Sequence, residues 1–155
     1  FLSGKVTTTH RYAAPPLVGI WARGPYLHNA SVPTVYNVLN SSTRPRKYSM
    51  RPSSTDPDNY DQVRLGWKFV DESAKTHEQI LEQMQRDPYV RVFDPDWRSP
   101  EQWESLRQAL LHVTHVKVDP SKPEQYTGML NAGHTFGDHL SEDDRLAVIE
   151  FLKCL

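Results

Sequence analysis

Residues Gly19 to Thr34 read GIWARGPYLHNASVPT, and the reading of this stretch decides the fold assigned to the chain. Trp21, Pro25, Tyr26, Leu27 and Pro33 are large flat or stiff groups, while His28, Asn29 and Ser31 supply hydrogen-bond donors and acceptors. The segment is too apolar and too rigid for an ordinary surface loop, and the mixture suits a wall around a flat cofactor. Immediately downstream, Val32, Val35, Tyr36 and Leu39 recur at helical spacing. Ser31 stands where an N-cap belongs and Pro33 falls in the first turn, which predicts a short helix over 33–39.

Outward from this stretch the punctuation is strong. Residues 1–16 read as an extended lead-in, with Val6 to Thr9 β-prone and Pro15 and Pro16 barring helix. From Asn40 to Asp61, Ser, Thr, Pro, Arg and Asp dominate, predicting a long irregular excursion. A polar helix is expected over 79–86, with Ile80, Leu81 and Met84 on one stripe and Pro88 beyond its end. A better-specified helix starts at Ser99, with Pro100 first and Gln102 placed for a capping box. Its buried stripe would be Trp103, Leu106, Leu110 and Val113. At the end, Ser141 caps a helix whose first turn is acidic (Glu142, Asp143, Asp144) and whose inward face is Leu146, Ile149 and Leu152. With 12 prolines and these helices, the expected class is mainly α, with long ordered loops and few or no strands. Loops of that length need an organiser, either a large cofactor or packing against the rest of a larger protein.

Composition sets outer bounds. The chain has 155 residues, 37% hydrophobic and 24% charged, with a net charge of -1, which is ordinary for a soluble domain with a real core. The basic residues are scattered, so a nucleic-acid footprint is not supported. No apolar run approaches the length of a membrane span. The chain starts at Phe1 without a leader pattern, which suggests a processed chain or the C-terminal piece of something longer. A single cysteine, Cys154, excludes an internal disulfide and a CxxCH haem-attachment motif.

The Gly19–Thr34 stretch resembles the loop covering the second haem in di-haem c-type cytochromes of the cytochrome c peroxidase and rubber oxygenase type. In those proteins a tryptophan-containing approach leads into a PY(M/L)HNGS element. The chain's end, NAGHTFGDHLSEDDRLAVIEFLKCL, is similar to the same family's close: a Gly-His-x-(Phe/Tyr)-Gly turn, a polar spacer and a final amphipathic helix. The resemblance implies one C-terminal, cytochrome c-like domain over 1–155. Its haem-covering loop would span 15–40, a variable insertion 41–125, and the distal-ligand turn with the terminal helix 126–155. It implies haem c as cofactor, attached through a CxxCH outside this sequence, on an N-terminal segment or a partner chain. It further implies a periplasmic or secreted location, an electron donor or acceptor protein as partner, and oxidoreductase or electron-transfer chemistry.

On that resemblance His134 is the distal iron ligand, while the ordinary alternative is a surface turn with an incidental histidine. Gly133 and Gly137 frame it, and small neighbours let a flat ring approach the backbone. In the peroxidase branch the residue before the loop histidine is commonly a ligating Met; here it is Leu27, which has no donor atom, favouring a bis-His iron of lower potential. Leu27 would then be a haem contact, and His28 would bond within the loop or to a propionate. Trp21, Tyr26 and Phe136 would pack on the ring system, and Arg23 would face a propionate or solvent. Ala30 replaces the usual Gly; if the turn needs positive φ there, Asn29 is the residue expected to take the left-handed position instead. Two other readings stay open: an interaction module that kept the fold without haem, and a metal site built on His112, His115 and either Asp119 or His139.

Overall fold

A computed structural model describes residues 16–51, 56–95, 131 and 133–155. The β-prone lead-in, the Ser99-capped helix, His112, His115 and Asp119 lie outside them.

Helix α1 is Val35–Leu39, shorter than expected at its start. Thr34, not Ser31, is its cap: Thr34 is extended (φ -132°, ψ 159°) and its Oγ1 accepts from the Asn37 amide at 3.2 Å. The backbone stays extended to Thr34 because Val32 bridges Tyr26 and Thr34 bridges Gly66. Two more first-turn amides of α1 are satisfied from a short hairpin, Val35 donating to the Leu65 carbonyl (2.9 Å) and Tyr36 to that of Arg64 (3.0 Å). That hairpin pairs β2 (Tyr60–Asp61) with β3 (Gly66–Trp67), and the Asp61 carboxylate accepts from the amides of Val63 and Arg64 inside its turn. Gly66 is bare where a Cβ would sit 2.7 Å from the Pro33 carbonyl oxygen.

The terminal helix α3, Glu142–Leu152, forms as its sequence directs. The Ser141 hydroxyl accepts from the Asp144 amide at 3.2 Å and the acidic first turn follows. Ile149 is fully buried, with Leu146 and Leu152 beside it, and α3 lies against α1. Tyr26, Val32, Val35, Leu65 and Ile149 make one core; burying each of its four aliphatic side chains is worth roughly 1.5–3 kcal/mol. The covering loop and the chain's end are therefore halves of one hydrophobic unit.

The expectation of a mainly α protein with few or no strands is overturned. Besides the hairpin, β1 (Tyr48–Met50) lies between β4 (Phe69–Asp71) and β5 (Arg91–Phe93) in a three-stranded antiparallel sheet. Tyr48 faces Asp71 on one side and Phe93 on the other. The residues 40–61 are thus not irregular throughout: Lys47 to Arg51 alternates in period two. Tyr48 and Met50 form a second small core with Phe93, flanked by Trp67 and Phe69, and the Tyr48 ring stacks on Phe93 at 5.7 Å.

On the other face Ser49 meets α2, His77–Arg86. Thr76 and Gln79 form a reciprocal capping box, so the helix starts at His77 rather than 79. Only Ile80 of the expected stripe is buried; Leu81 and Met84 are 43% and 42% exposed. What seats this helix is polar. The buried Glu72 carboxylate accepts from Ser49 Oγ (2.7 Å) and Gln83 Nε2 (3.1 Å) and pairs with Lys75 Nζ (2.7 Å). Burial alone pushes the Glu72 carboxyl up, but the bonds from Lys75, Ser49 and Gln83, with the charge of Lys75, bring it below its ordinary value.

Candidate functional site

The loop turns some of its expected cofactor contacts inward. Tyr26 is buried, its hydroxyl reaching the carbonyls of Ile20 (3.0 Å) and Leu65 (3.3 Å), and that burial pushes its pKa far above the ordinary phenol value. Leu27 packs against the core at φ 65°. Ala30 itself takes the left-handed conformation (φ 56°), while Asn29 Oδ1 accepts from the Ser31 amide at 3.2 Å. Asn29 therefore supports the turn instead of adopting the unusual φ. Trp21, Arg23 and His28 remain exposed, Trp21 by 47%. The Ser31 hydroxyl is wholly buried and has no hydrogen-bond partner among the described residues.

The turn bearing His134 is built from backbone upward. Gly133 and His134 both have positive φ, 87° and 51°. Arg44 holds their carbonyls: Nη1 donates to Asn131 O (2.8 Å) and Gly133 O (2.6 Å), and Nη2 to His134 O (2.9 Å). The same guanidinium gives Nε to Asn37 O (2.8 Å) and Nη2 to Val38 O (3.0 Å), the trailing carbonyls of α1. Burial pulls the Arg44 guanidinium below its usual value, with Asp138 opposing. Asp138 receives the Ser41 amide (2.7 Å) and hydroxyl (2.5 Å), which hold its carboxyl below the ordinary range. Arg145 closes the far end, Nε to Leu39 O (3.2 Å) and Nη2 to Leu140 O (3.0 Å).

Gly137 has a different role from the one its position beside a histidine suggests. A Cβ there would lie 2.5 Å from Leu39 O and 2.6 Å from Leu39 Cα, so its bareness admits helix α1 rather than a flat ring. Gly133 meets nothing within 4 Å and serves its φ.

The side chains of His134 and Phe136 both face solvent, Phe136 by 80%, their rings 6.2 Å apart and tilted by 59°. The donor chemistry fits a haem approached from outside the fold: an accessible imidazole with an exposed aromatic beside it, on a turn anchored through its main chain. Leu27 offers no donor, and Cys154 alone provides no covalent attachment. Among the described residues no group of three or more His, Cys, Asp or Glu could hold a metal ion by itself, and His139 is merely exposed on the same turn. Sequence reading missed Arg44, Arg145, Ser41 and Asp138, because their partners are backbone groups or residues far along the chain. It also missed His77, whose Nδ1 lies 2.9 Å from Asp94. No helix among the described residues is long and apolar enough to cross a membrane.

Residues 11–49 match the family described as RoxA-like, cytochrome c-like. The match takes in the covering loop and α1, and it supports a cytochrome c-like family, haem as the cofactor class and electron transfer as the broad role. Two proteins of Sinorhizobium fredii are similar over short stretches. The uncharacterized protein y4iM is 51% identical over 37 residues, 24% of this chain and 9% of that protein. The uncharacterized protein y4iJ is 41% identical over 63 residues, 37% of this chain and 11% of that protein. The matched stretch is thus a small fraction of either relative's length.

Proposed function

We propose that this chain is the C-terminal, cytochrome c-like part of a di-haem oxidoreductase or electron carrier. On this reading it supplies the outer wall and the distal axial ligand of a c-type haem attached through a CxxCH elsewhere. The observation that carries the reading is the joining of the matched loop and the His134 turn through α1, with the imidazole turned outward. His134 would hold the iron, and Trp21, His28 and Phe136 would border the ring, with Arg23 toward a propionate. When bound, haem supplies one-electron redox chemistry whose potential depends on the axial ligands. With Leu27 in the position of a ligating Met, the chain favours two imidazoles and a lower potential. Tyr26 and Leu27 support the wall from within by fixing the loop to the core. A haem-bearing segment or partner chain and an electron-exchange partner, in the periplasm or outside the cell, complete the proposal.

The test is a pyridine haemochrome assay and visible spectrum of the intact assembly. Haem c with a low-spin spectrum that turns high-spin in His134→Ala, at unchanged haem content, is the expected result. Absence of haem from the intact assembly overturns the proposal in favour of a module that keeps the fold without cofactor.

A further inference from the structure

An exposed histidine on a turn with two consecutive left-handed residues has little of its own to fix it, yet an axial ligand must be held to a fraction of an ångström. Neither side-chain packing nor secondary structure does this for His134. Its ring is exposed and lies 6.2 Å, centroid to centroid, from the exposed ring of Phe136. Restraint enters through the main chain, and the Arg44 fork makes three of those contacts, to Asn131, Gly133 and His134.

All five N–H donors of Arg44 find carbonyl oxygens, at 2.6 to 3.0 Å, and none finds a carboxylate. Two acceptors belong to α1, which is bonded to the covering loop's end; three belong to the His134 turn. A planar guanidinium with donors in a fixed fork couples two segments in a way one ammonium cannot, because an ammonium's three donors diverge from a point.

Resting on the ligand reading above, we propose that Arg44 is the positioning residue for His134. By bridging α1 to the carbonyls of residues 131, 133 and 134, it sets the height and direction from which the imidazole reaches iron. Arg44 touches neither cofactor nor iron in this role; it acts through the backbone that carries the ligand.

The experiment compares wild type, His134→Ala, Arg44→Lys and Arg44→Gln in the intact haem-bearing assembly. Haem content, spin state by visible and EPR spectra, and amide hydrogen exchange over 133–140 are read for each. Arg44→Lys retains the charge, so its effect isolates geometry. The expected result is unchanged haem content and a ligation equilibrium weakened about 10- to 100-fold, the usual penalty for losing the support of a metal ligand. Faster exchange in the turn should accompany it while α3 stays protected. A purely structural arginine would lower thermal stability without changing the spin state of the folded protein. If both Arg44 variants keep the wild-type spin state and turn protection while His134→Ala goes high-spin, the positioning role is refuted and the ligand reading stands. If His134→Ala keeps the wild-type spectrum, the ligand reading fails, and the Arg44 proposal with it. Should Arg44→Gln not accumulate as folded protein, Arg44→Lys alone decides between these outcomes.

Discussion

Replacing Gly137 with alanine tests how tightly the His134 turn is seated on α1. The new methyl would start 2.5 Å from Leu39 O, 2.6 Å from Leu39 Cα and 2.9 Å from Leu39 C, against ordinary contacts of 3.4 to 4 Å. All three neighbours are backbone, so none can swing aside and the turn must retreat by about 1 Å. That retreat stretches the 2.6 and 2.9 Å bonds from Arg44 to Gly133 and His134 past useful length, and loosens the Ser41–Asp138 pair. Overpacking costs about 1–3 kcal/mol, and hydrogen bonds to charged groups are worth about 1.5–3 kcal/mol each before water replaces part of the loss at this exposed edge. A net destabilisation of about 2–4 kcal/mol follows. With an unfolding slope of about 2 kcal/mol per molar urea, the midpoint should fall by about 1–2 M. Gly133→Ala is the control, since it meets no atom within 4 Å and adds only the strain of φ 87°, about 1–2 kcal/mol. If Gly137→Ala proves no more damaging than Gly133→Ala, the close seating on Leu39 is wrong.

Ser31→Ala should stabilise the chain by about 1 kcal/mol, because it removes a buried hydroxyl with no partner among the described residues; calorimetry should show a melting point about 2–4 °C higher, and a lower one would mean that the hydroxyl is bonded in the assembled protein. Ala30→Gly relieves a left-handed alanine costing about 1–2 kcal/mol and returns about 0.4–1 kcal/mol of unfolded-state entropy. A gain of roughly 0.5 kcal/mol in urea unfolding is expected, and a loss would show that φ 56° is not strained here. Glu72→Gln should cost about 1–3 kcal/mol at neutral pH. Because the folded carboxyl lies below its unfolded value of 4.5, its contribution is present above that value and disappears as pH falls through the folded one. The difference from wild type should therefore shrink in acid, and a pH-independent difference would remove the charge from the explanation.

The parts of this fold legible in the sequence are those whose signals are local. Ser141, the acidic turn after it and the Leu146–Ile149–Leu152 spacing specify α3 within a dozen residues, and the structure shows that helix. The Gly19–Thr34 stretch stood out by its run of stiff and aromatic residues, and residues 11–49 match the family described as RoxA-like, cytochrome c-like, which supports the coarse resemblance. Strand β1 was hidden because Tyr48-Ser49-Met50 is too short an alternation to stand out among prolines and arginines. Its partners, 69–71 and 91–93, lie well downstream. The α1 cap lies three positions beyond Ser31 because two antiparallel bridges, invisible in sequence, keep residues 32–34 extended. Arg44 offered no signal at all, since an arginine that bonds only carbonyls has no complementary side chain to search for.

A brace that grips only carbonyl oxygens cannot tell which side chain sits at position 134. Apart from Gly133, which suits its φ of 87°, and Gly137 and Asp138, which serve space and charge, the contacts that hold the turn leave its side chains open to any residue that accepts the local φ. On the ligand reading proposed above, the donor atom at its tip would be exchangeable by a single codon change while its mounting stays in place. Electron affinity, on that reading, would be an interchangeable part on a fixed stage.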